Sequence, residues 1–166
     1  TIAKIVYYLT LPIAGVMFPI ISRLHEKQEQ HFPILLQTFA LTTILSLIVI
    51  VIYTLAPVLV IKILFGSAYV SVSPYLVRMA LAIFLFSLIN LFILYYLSIK
   101  KMIFLWFILP AGVVEFILIW LYHNTFMEII NILLLVFASL IFALLLLYIG
   151  ERRKRIKRLW QRSTYQ

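Results

Sequence analysis

The chain has 166 residues, of which 66% are apolar and only 11% charged, and its mean hydropathy is +1.17. No water-soluble core of this size requires such a composition, so lipid is the expected solvent for most of its surface. Without Cys or Asp there are no thiolate metal sites, disulfides or Asp-rich metal–nucleotide motifs, and the net charge of +9 makes the placement of the cations the main clue to orientation.

In hydrocarbon every backbone polar group must be satisfied within the protein, so spanning elements are helices or closed barrels; continuous apolar runs without period-2 alternation select helices. The expected fold class is an all-α membrane protein, a bundle of five transmembrane helices. The first span covers about residues 5 to 22 and contains Pro12 and Pro19. It is longer than the apolar region of a signal peptide and has no A-x-A cleavage site. The link His25 to His31 (HEKQEQH) has mixed charge and lacks the H-E-x-x-H spacing of zinc enzymes, so it is expected to be a solvated connector.

The second apolar run, about 33 to 64, is too long for one straight crossing of a ~30 Å core, so it is expected to tilt strongly, protrude or break, with Pro57 the natural place for a kink. Along it Thr38, Thr42 and Ser46 recur every four residues, with Tyr53 continuing the face. Such a stripe either lines a cavity and binds sugar hydroxyls or joins helices, and it is expected to face protein. Gly66 to Pro74 (GSAYVSVSP) is expected to be a short turn.

The third span, about 75 to 99, carries Arg78 just inside one end and Asn90 deeper in. Arg78 either attracts a phosphate group in a cavity or snorkels to headgroups. The fourth, about 102 to 122, is interrupted only by Glu115. A carboxylate at depth costs several kcal/mol unless protonated, paired or hydrated; Glu115 either faces a water-filled cavity or snorkels or bonds to Asn90 or a nearby hydroxyl. The fifth span, about 127 to 150, leads into a basic tail, 151 to 166, in which Ile156, Leu159 and Trp160 fall on one helical face. That tail is expected to lie on anionic cytoplasmic lipids rather than on nucleic acid.

Lys and Arg are retained in the cytoplasm. With the tail inside, alternation puts Arg23, Lys27, Lys100 and Lys101 inside too, eleven cations against Lys4, Lys62 and Arg78 outside. Rings of Tyr7, Tyr8, Trp120 and Tyr122 are then expected at the outer headgroups, and those of Tyr95, Tyr96, Trp106 and Tyr148 at the inner. An odd number of spans beginning at Thr1 leads to the expectation of a part of a larger transporter.

Two segments carry more than composition: Leu11 to Leu24 (LPIAGVMFPIISRL) and Ala56 to Tyr69 (APVLVIKILFGSAY). Together, at this separation, they resemble the C-terminal half of polysaccharide flippases of the multidrug/oligosaccharidyl-lipid/polysaccharide exporter superfamily. Pro74 to Lys101 is similar to that family's next span. The chain departs from the family between the last two spans, where Tyr122 to Glu128 replaces a Gly-rich turn. The resemblance implies the eighth to twelfth spans, a partial second lobe of a two-lobe transporter whose missing N-terminal half completes it. It further implies that a lipid-linked glycan is flipped across the cell's inner (plasma) membrane by alternating access, with the C-terminus cytoplasmic, no covalent chemistry, no cofactor and no metal. Cavity or substrate candidates are Glu115, Arg78, Asn90 and Thr42. A cation-coupled multidrug exporter of the same superfamily and a portion of an integral-membrane glycosyltransferase are the alternatives.

Overall fold

The computed structural model describes the backbone of residues 3 to 163 and the side chains of residues 3 to 151. Its elements are α1 (Lys4–Glu26), α2 (Phe32–Leu55), α3 (Pro57–Phe65), a 3-10 helix (Ser67–Val72), α4 (Ser73–Ser98), α5 (Leu105–Leu121) and α6 (Phe126–Ser163), with no strand among the described residues. Proline sets three of the starts: Pro33, Pro57 and Pro74 each stand in the first turn of a helix, where the missing N–H has no intrahelical partner to lose.

α1, α2, α6 and the stretch Ser67–Ser98 are each long and apolar enough to cross a bilayer, and α5 is a shorter apolar helix of 17 residues. The protein is therefore an all-helical, multi-pass membrane protein. α5 is shorter than the expected span because residues 102 to 104 belong to the turn that precedes it. The long second run does break, at Ala56, whose φ of −141° and ψ of 55° leave the helical region. The link expected as a simple turn is the 3-10 helix, entered through Gly66 at φ 87°, a conformation that costs glycine little.

α4 is the hub and packs against α1, α2 and α6, while α1 and α2 also pack on each other. Among the described residues α5 has α6 as its only helical neighbour, and it buries no residue completely. The buried face of α1 is Val6, Thr10, Ala14, Met17 and Ile21, spaced by three and four as one helical stripe requires. Small residues there, with Ala80 and Ser87 on α4, let backbones approach, which is how helices associate where lipid removes any hydrophobic gain.

α1 and α4 both end in a left-handed non-glycine residue, Gln28 (φ 58°) and Lys100 (φ 56°). In each, two backbone bonds close the helix as a Schellman motif: Glu29 N donates to Leu24 O at 2.9 Å and Gln28 N to His25 O at 3.1 Å, and Lys101 N to Tyr96 O and Lys100 N to Leu97 O, both at 3.0 Å. α6 does not stop at residue 150 but runs unbroken to Ser163, 38 residues or about 57 Å. The tail side chains expected to face lipid lie outside the described residues.

Candidate functional site

The three basic links meet at one end of the bundle. Lys101 Nζ donates to Glu151 Oε1 at 2.7 Å, tying the end of α4 to α6, and Lys100 Nζ lies 3.6 Å from Glu26 Oε1 at the end of α1. Beneath these exposed pairs lies an aromatic layer. Tyr95 OH and His31 Nδ1 are in hydrogen-bond contact at 3.3 Å, the rings of His25 and His31 are 5.8 Å apart, and Phe32 stacks on Tyr148 at 6.3 Å. Tyr96 stacks on Phe104 at 6.1 Å, bringing in the turn before α5.

This layer corrects two expectations. The connector His25 to His31 is exposed from Glu26 to Gln30, but His31 is buried, because it opens α2 and turns its ring onto Tyr95 of α4. Tyr95 and Tyr96 are buried as well; they pack helix ends together and do not face headgroups. Trp106, Trp120, Tyr8 and Tyr122 are exposed.

The four candidates from sequence occupy separate surroundings. Thr42 and Ser46 are 0% and 1% exposed on the face of α2 that meets α1 and α4, and neither hydroxyl has a hydrogen-bond partner among the described residues. Thr38, one turn earlier, satisfies itself by donating to Ile34 O at 2.7 Å. The stripe therefore faces protein and opens onto no cavity at Thr42. Asn90 is half-buried one turn beyond Phe86, whose ring meets Tyr7 of α1 at 5.6 Å and Phe137 of α6 at 5.8 Å. It thus lies on the strip of α4 between α1 and α6, two helices that do not pack on each other.

Arg78 is exposed near the start of α4, and its guanidinium donates to Met127 Sδ at 2.7 Å, a weak acceptor that leaves the charge unneutralised. Glu115 belongs to the half-buried stripe Phe107, Ala111, Glu115, Leu118, and since α6 is the only helix beside α5, that stripe faces α6. Glu115 has no hydrogen bond or ion pair among the described residues, and Asn90 is not its partner, for α4 and α5 are not neighbours. No family model, curated protein or solved structure matches the chain.

Among the described residues no three His, Cys, Asp or Glu side chains come together as metal ligands. What the arrangement does chemically is bind one end of α1, α2, α4 and α6 into a unit through rings and ion pairs. Asn90 and Glu115, polar groups within apolar helices, are left half-buried. The ring layer was missed in the sequence because its members are far apart along the chain; the one available signal was the gathering of His and Tyr at the basic ends of spans.

Proposed function

We propose that the chain is the later part of the second lobe of a flippase for lipid-linked oligosaccharide or polysaccharide precursors, crossing the cytoplasmic membrane five times with its C-terminus in the cytoplasm. The observation that carries this reading is the meeting of Arg23, Lys27, Lys100, Lys101 and the root of the basic tail at one end, against Lys4, Lys62 and Arg78 at the other. A cation bias of this kind orients a polytopic protein. Of the two segments that resemble the flippase family, Ala56 to Tyr69 covers the α2–α3 break and the Gly66 turn, whereas Leu11 to Leu24 lies within α1.

The helices clamped at the basic end suit a lobe that rocks as one piece, with no bond made or broken in the glycan. Glu115 and Asn90, both half-buried, are the polar groups available to a cavity completed by the missing half, and Arg78 is available to a phosphate. Anionic headgroups around the tail help to hold the orientation. Two measurements test this. Accessibility labelling of Gln166 and Gly66 must find them in opposite compartments; a shared compartment overturns the topology. Full-length protein reconstituted in vesicles must flip a lipid-linked glycan, and cation-driven drug efflux in place of flipping overturns the substrate.

A further inference from the structure

We propose that α3 lies in the plane of the membrane, at the boundary between headgroups and acyl chains, as an in-plane lipid anchor at the end of the bundle opposite the ion pairs. The partner is the phospholipid interface itself, and the inference does not depend on the transported substrate.

α2 alone, at 24 residues, is about 36 Å long and already exceeds a ~30 Å hydrocarbon core. Continued straight along the same axis, α2 and α3 would reach about 51 Å. That would hold the side chains of Leu59, Ile63 and Leu64, which are 57%, 72% and 51% exposed, in water beyond the headgroups. Burying such side chains in an apolar medium is worth about 1.5 to 3 kcal/mol each, so the straight arrangement is disfavoured.

The chain instead leaves the helical region at Ala56, restarts at Pro57 and turns again at Gly66. Within α3 only Ile61 is fully buried, packed in a cluster with Ile50, Tyr53 and Leu76, and with Val60 half-buried against the same cluster these two residues fasten α3 over the ends of α2 and α4. The rest of its surface prolongs the lipid-facing surface of α2, where Ile48, Val51, Ile52 and Leu55 are exposed. Lys62 is the only charged residue of α3 and is exposed; an ammonium on a long apolar stem at this level complements lipid phosphate.

The chain has no cysteine, so a single introduced cysteine takes a spin label uniquely. Leu59→Cys and Ile63→Cys lie one turn apart on the same face, and both sites are mostly exposed, so neither label displaces packed neighbours. In vesicles of phosphatidylethanolamine and phosphatidylglycerol, relaxation by oxygen should exceed that by a nickel chelate at both sites. Their immersion depths should agree within about 2 Å at about 5 to 10 Å below the phosphates. A depth difference of about 6 Å, the rise of four residues along the membrane normal, overturns the proposal. Greater accessibility to the nickel chelate at either site also overturns it, by putting α3 in water.

Discussion

Replacing Gln28 by glycine is expected to stabilise the protein by up to about 1.5 kcal/mol. Gln28 holds φ at 58° to close α1, and a left-handed conformation costs a residue with a Cβ roughly 1 to 2 kcal/mol. Glycine removes that cost but loses more chain freedom on folding, which returns roughly 0.5 to 1 kcal/mol. The side chain is exposed, so no packing is lost, while the backbone bonds from Gln28 N and Glu29 N are kept. The neighbouring Glu29, not in that conformation, is the control: Glu29→Gly should only destabilise. Unfolding in mixed micelles titrated with dodecyl sulfate, followed by far-ultraviolet circular dichroism, measures both. If Gln28→Gly lowers stability as much as Glu29→Gly, residue 28 does not close the helix in the left-handed form and the reasoning fails.

Lys101→Ala and Glu151→Ala, taken through a double-mutant cycle, should give a coupling of about 0.5 to 1 kcal/mol that shrinks in 1 M salt, since both side chains are partly exposed; a salt-insensitive value would contradict a solvent-facing pair. Thr42→Val and Ser46→Ala should be neutral or stabilising by up to about 1 kcal/mol, because each removes a buried hydroxyl without a partner. A loss above about 1 kcal/mol in the same unfolding assay would reveal a hydrogen bond at that site. On the proposed function, Glu115→Gln in the full-length protein should preserve membrane insertion and lower glycan flipping; unchanged flipping would remove Glu115 from the proposed cavity.

Most helix limits were legible because apolar runs and helix-starting prolines are local signals: Pro33, Pro57 and Pro74 mark where α2, α3 and α4 begin. The four-residue recurrence of Thr38, Thr42 and Ser46 likewise marked one face of α2 and pointed it toward protein, which is where it lies. Three features were illegible for physical reasons. Gln28 and Lys100 close helices where glycine is the usual sign, so nothing in the residue type announced the turn. The contact of His31 with Tyr95 joins residues 64 apart and exists only once α2 packs on α4. Length and apolarity gave α5 the same expected status as the other spans, whereas its packing on α6 alone depends on which faces the hub leaves available. Of the candidate residues, Glu115 stood out as a carboxylate within an apolar run, but the facing of its stripe toward α6 and the separation of α5 from α4 are tertiary facts.

That α5 leans on α6 alone, while α1, α2 and α4 contact one another, bears on biosynthesis. The mutual contacts of the first three long helices are complete once residue 98 has left the ribosome. The nascent chain can therefore settle a three-helix nucleus in the bilayer before α5 and α6 emerge. α5 then docks through α6, so a chain halted once Ser98 has cleared the ribosome would leave behind an already assembled core.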